Sequence, residues 1–150
     1  MLGRTIVEKK RLEEYEPLKE KIALLSQKKV TPTFFYQTPL SEEMIQEYLL
    51  FENETGIVGV TYLEGMKDTK NCSIELLTGN EENQEEIIEE STNYAINDLG
   101  MLDVNWLNIA SYEDFYQIAK RNHYEISPPD PEIVVLSASI QKELEQRKNR

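Results

Sequence analysis

SIELLTGNEENQEEIIEESTNYAINDLGMLDVNWLNI, running from Ser73 to Ile109, is the stretch that decides the fold. It reads as a strand, a polar turn, a helix closed by Gly100 and a second strand. The helix is expected over Asn83–Leu99, with Ile87, Ile88, Ser91, Tyr94, Ala95 and Leu99 on its inner side. The flanking strands are Cys72–Leu77 and Val104–Ile109, which makes the unit a parallel crossover. The same order of elements can place a phosphate group on a helix N-terminus. Here the turn and the first helical turn carry Glu81, Glu82, Glu85 and Glu86 instead of glycines and basic residues. Shape and charge therefore point in opposite directions.

Working outward, Thr5–Val7 reads as a short first strand, and Leu12–Leu25 has helical spacing with Pro17 in the first turn. Ser41, with Glu43 and Met44 after it, reads as an N-cap opening a short helix through Tyr48. Leu49–Glu52 and Ile57–Leu63 flank the turn Asn53-Glu54-Thr55-Gly56 and are expected to form a β-hairpin. Beyond the crossover, Ser111 caps a helix from Tyr112 to Asn122. A short extended stretch, Tyr124–Ile126, is stopped by Pro128, Pro129 and Pro131, and Ile133–Ser139 is the last strand. Neighbouring strands in the first half imply an antiparallel meander, so the expected fold class is α/β: a mixed, mostly antiparallel central sheet with helices on both faces. One domain is expected over residues 1–140, with a charged tail at 141–150.

The 150 residues are 39% hydrophobic and 29% charged, which suits a single packed domain. No apolar run reaches membrane-span length and Met1–Arg11 lacks a signal-peptide core, so a cytoplasmic location is expected, in keeping with the lone Cys72. A formal net charge of -12 disfavours nucleic-acid and anionic-membrane binding. It suits a basic protein or a cationic small molecule as partner. One His and one Cys exclude the usual zinc sets and the Ser-His-Asp arrangement, and no calcium-loop spacing is present.

Four strings resemble the GNAT N-acetyltransferase family: ENETGIVGV, CSIELLTG, NYAINDLGM followed by VNWLNI, and FYQIAKRNHYEIS. The resemblance covers roughly residues 5–140. It implies a GNAT-like fold, acetyl-CoA or another acyl-CoA as cofactor, and an amine acceptor. Counting back from Tyr94, the family's cofactor loop falls on Gly79, Glu82 and Gln84, none of which matches its Gln/Arg-x-x-Gly-x-Gly/Ala pattern. By family position the cofactor-binding residues are Leu77, Gly79, Asn80 and Gln84. The family's general acid is a Tyr, and Ala119 stands at its position; Tyr116, one turn earlier, is the candidate substitute. Glu75 stands where many members keep the carboxylate that takes the amine's proton.

Bland readings stand beside these. Glu75 also fits an outward position on a half-buried strand. The Glu pairs at 81/82, 85/86 and 89/90 form either a solvated face or an acidic docking patch. Phe34, Phe35 and Tyr36 suit an acceptor pocket, a core lid or a contact in a homodimer, and His123 suits a helix end. Two functions follow. One is a divergent GNAT-fold protein with no CoA chemistry, hence no cofactor, binding a partner through its acidic face. The other is an N-acyltransferase acting on a cationic amine with Glu75 as base and Tyr116 as acid.

Overall fold

The structure is a computed structural model and describes residues 2–8, 44–79, 81–107, 111–130 and 133–138. In chain order the elements are β1 (Gly3–Glu8), β2 (Met44–Asn53), β3 (Gly56–Met66), β4 (Asn71–Gly79), a 3-10 turn (Glu81–Asn83), α1 (Gln84–Asn93) continued by a π turn (Tyr94–Asp98), β5 (Asp103–Leu107), α2 (Tyr112–Asn122), β6 (Glu125–Ile126) and β7 (Ile133–Ser137). The strands form a seven-stranded sheet in the order β1-β2-β3-β4-β5-β7-β6. Among the described pairs β4–β5 alone is parallel, and α1 is its crossover. The mixed, mostly antiparallel sheet expected from the sequence is present.

The two faces carry separate cores. Ile87 and Ile88 of α1 and Phe115 and Ile118 of α2 pack with Leu49, Phe51, Leu63, Ile74, Val104 and Trp106 on one face. Tyr48, Leu50, Ile57 and Val60 are buried on the other, with Val7, Tyr62 and Leu77 against them. Both described helices thus share one face. The helix expected at Leu12–Leu25, the Phe34-Phe35-Tyr36 cluster and the tail at 141–150 lie outside the described residues. No helix among the described residues is long and apolar enough to cross a membrane.

One element differs from expectation. Met44–Tyr48 is not a helix but the first half of β2. Strand β3 is eleven residues long, and its ladder with β2 runs from Met44↔Met66 to Asn53↔Gly56. That pairing puts Gln46 and Tyr48 on one face and Leu49 and Phe51 on the other. A short apolar run cannot be told from a helix by periodicity alone; a long neighbour offering a full ladder settles the matter. Ladder shifts sit between Phe51 and Glu52 on β2 and between Val60 and Thr61 on β3. The second leaves Leu77 without an opposite number on β3; by strand alternation Leu76 packs into the helix-side core and Leu77 into the other.

The hairpin and the helix ends follow local chemistry. Asn53 Oδ1 accepts from the Thr55 backbone N–H at 2.8 Å and the Thr55 hydroxyl at 2.6 Å, and Gly56 supplies the φ of 122° that closes the turn. Gly100, at φ 75°, follows the π turn as the C′ glycine. Ser111 precedes α2 in an extended conformation, and His123 ends it in the left-handed region.

The centre of the helix-side core is Trp106. It is 1% exposed, lies edge-on to Phe115 at 5.6 Å between ring centroids, and donates its indole N–H to Thr92 Oγ1 at 3.0 Å. The Thr92 hydroxyl in turn donates to the Ile88 carbonyl at 2.8 Å. Replacing Thr92 by Val keeps the shape and strands a buried donor, which costs about 1–3 kcal/mol. Urea unfolding of Thr92→Val is expected to show that loss, and Thr92→Ser to recover most of it.

Candidate functional site

The junction of β4 with α1 is built by close packing. Gly79 ends β4, and a Cβ there would lie 3.3 Å from Leu76 Cδ1 and 3.6 Å from Ile87 Cδ1. Both are the ends of flexible side chains, and the contact with Ile87 is an ordinary van der Waals one. Asn80 lies outside the described residues. Glu81 and Glu82 are exposed in the 3-10 turn, and Asn83 occupies the N-cap position of α1 without a side-chain capping bond. Gln84 opens the helix and is half-buried; Glu85 is exposed and Glu86 half-buried.

The acidic stripe is not uniformly open to solvent. Arg121 of α2 reaches across to α1, with Nη1 at 2.9 Å from Glu85 Oε1 and Nε at 3.0 Å from Glu89 Oε2. Asn122 Nδ2 donates to the same Glu89 oxygen at 2.8 Å. Hydrogen bonds to Glu89 and then Glu85 hold the Arg121 guanidinium above its ordinary pKa. The sequence presents Glu85 and Glu89 as like charges one turn apart; the structure makes them the two jaws of a clamp between helices.

Glu75 is half-buried on β4, opposite Tyr62 of β3 and Leu107 of β5 in register. It therefore lies on the sheet face away from α1 and α2. The described ladder between β4 and β5 runs from Asn71↔Asp103 to Glu75↔Leu107. Leu77 is half-buried on the same face as Glu75. Tyr116 is 45% exposed on α2, on the helical side. The two sequence-derived catalytic candidates thus approach the sheet from opposite faces.

Beside Glu75 lies a polar group that sequence reading missed. The Tyr62 hydroxyl donates to Glu64 Oε1 at 2.8 Å, and Gln46 Nε2 donates to the same oxygen at 3.0 Å. Tyr48 lies 4.8 Å from Tyr62 between ring centroids. Burial, then the bond to Glu64, pushes the Tyr62 hydroxyl well above its ordinary pKa. The Gln46 carbonyl oxygen is buried without a hydrogen-bond partner among the described residues. Glu64 also lines a cavity of about 230 Å³ with Met44, Met66, Asn71 and Ser73. Reading β2 as strand from Met44 onward would have put Gln46 and Glu64 side by side. Cys72 is buried nearby, and burial pushes its thiol up to about 12, so it carries no thiolate at neutral pH. Among the described residues no group of three or more His, Cys, Asp or Glu converges on a metal position.

No protein-family model and no curated protein matches the sequence. Solved structures do match in shape. The N-acetyltransferase PseH of Campylobacter jejuni superposes with a TM-score of 0.56 at 14% identity, covering 91% of this chain and 98% of that one. The fold is that of the GNAT N-acyltransferases. The dodecameric spermidine N-acetyltransferase of Vibrio cholerae gives 0.59 at 8% identity, covering 97% of each chain. The CoA-dependent acyl-homoserine lactone synthase BjaI gives 0.57 at 9%, covering 99% of this chain and 89% of that one. His123, at the end of α2, stands in the left-handed region at φ 58°.

Arg121→Met is expected to lower stability by about 0.5–1 kcal/mol, the range for exposed pairs with a like-charge neighbour left behind. Thermal melts of both proteins should converge as salt is raised, because screening removes what the clamp supplies.

Proposed function

We propose that this chain is a GNAT-fold protein that keeps the strand–turn–helix scaffold without the acetyl-CoA grip, and that it serves as a binding or regulatory module through the carboxylates at the start of α1. The observation that carries this reading is the chemistry of the β4–α1 turn. A pyrophosphate seated there would face the exposed Glu81 and Glu82, with Glu85 in the next turn. Repulsion of about 1 kcal/mol per close pair, even in water, outweighs a helix terminus worth about 0.3–1 kcal/mol. A Cβ at Gly79 would meet only the flexible ends of Leu76 and Ile87. Arg121, the cation nearest this turn among the described ion pairs, is committed to Glu85 and Glu89. The residues present do not fit a CoA pyrophosphate, and the group such a surface would take is a cationic small molecule or a basic segment of a protein. Calorimetric titration with acetyl-CoA is expected to show no binding at millimolar ligand; micromolar binding would overturn the reading.

A second reading rests on Glu75. A half-buried carboxylate on β4, beside Tyr62 and away from the helical face, is suitably placed to accept a proton from an amine, and the Vibrio cholerae neighbour is a spermidine N-acetyltransferase. On this reading the chain is an N-acyltransferase for a cationic amine, with Tyr116 as the acid. Thiol release from acetyl-CoA with spermidine as acceptor would then fall more than about tenfold in Glu75→Gln. A rate unchanged by that substitution would remove Glu75 from the mechanism.

A further inference from the structure

We propose that the cavity framed by β2, β3 and β4, on the sheet face away from the helices, binds a primary amine as the ammonium ion of a short alkyl chain. The cavity holds about 230 Å³ and is lined by Met44 of β2, Glu64 and Met66 of β3, Thr69 of the following turn, and Asn71 and Ser73 of β4. Register brings these residues together. Met44 pairs with Met66, Met66 with Asn71, and Glu64 with Ser73.

The charge of this cavity is that of one carboxylate. Among the described lining residues Glu64 is the one ionised side chain, and neither Lys nor Arg stands with it. Its Oε1 accepts from the Tyr62 hydroxyl at 2.8 Å and from Gln46 Nε2 at 3.0 Å. Both donors are neutral, so they fix the direction of the carboxylate without cancelling its charge. Gln46 is 6% exposed, and the carbonyl oxygen of the same amide is buried without a hydrogen-bond partner among the described residues. A buried acceptor left in that state is costly, and a group that donates to it is favoured. Negative charge and acceptors therefore stand together, and a ligand with positive charge and N–H donors complements both. An ammonium carries three donors and no acceptor. The side chains of Met44 and Met66 give the alkyl chain an apolar wall that adapts to its shape. The cavity lies on the face that carries Glu75, the next residue on that face of β4 after Ser73. Its occupancy does not depend on CoA.

Nuclear magnetic resonance titration of the isotope-labelled full chain with n-butylamine, at constant pH and ionic strength and without CoA, tests this. The Gln46 side-chain amide and the Asn71 and Ser73 backbone amides are expected to shift along one saturable curve in the millimolar range. Butan-1-ol is expected to shift none of them. Glu64→Gln should weaken binding about tenfold or more, the scale of a lost hydrogen bond to a charged group. Ser73→Leu narrows the cavity and leaves Glu64 with its donors; it should abolish binding, and it carries the test if Glu64→Gln fails to fold. No saturable shift in the wild type, an equal response to the alcohol, or unchanged binding in either folded variant would overturn the proposal. A loss that follows Glu82→Gln instead would put the amine on the turn before α1 and overturn it as well.

Discussion

A buried indole N–H has to find an acceptor, and the rest of the helical face is arranged around the one it finds. Trp106 enters the core from β5 and meets the hydroxyl of Thr92, which passes its own proton on to the Ile88 carbonyl. One hydroxyl thereby fixes the rotation of α1 over the sheet. With α1 fixed, Ile87 comes down on Gly79, and Ser91 comes within 3.0 Å of Thr61 on β3. Glu85 and Glu89 face α2, where Arg121 and Asn122 receive them. The second helix is therefore oriented through the first.

Local signals in the sequence carried most of the elements described. Asn53 to Gly56 specified the hairpin because the Asx turn and the positive φ are decided within those residues. Gly100 marked the end of the crossover helix and Ser111 the start of α2 for the same reason. Met44–Tyr48 was misread because nothing within it favours a strand; its partner is β3, whose closest contacts lie up to twenty-two positions away, at Met66. The clamp on Glu85 and Glu89 was invisible because Arg121 sits on another helix. Glu75 falls on β4 as strand alternation implies, half-buried on the face away from the helices, and its neighbour Tyr62 comes only with the β3–β4 ladder.

Fold and site obey different rules in this chain. The scaffold is held by apolar burial and by a few internal hydrogen bonds, and neither depends on the charge of an exposed turn. Structures at 8–14% identity can therefore share its shape.

The π turn at Tyr94–Asp98 has a mechanical meaning. The wider turn ends a helix that is already tied to α2 at its other end, and it brings two side chains onto the N-terminal strands. The Tyr94 hydroxyl reaches Glu47 on β2 at 2.6 Å, and Asp98 holds Arg4 on β1. Helix α1 is thus a tie rod laid diagonally over the sheet, anchored to α2 at one end and to β1 and β2 at the other. A load applied at the outermost strand is borne by the same helix that frames the acidic turn.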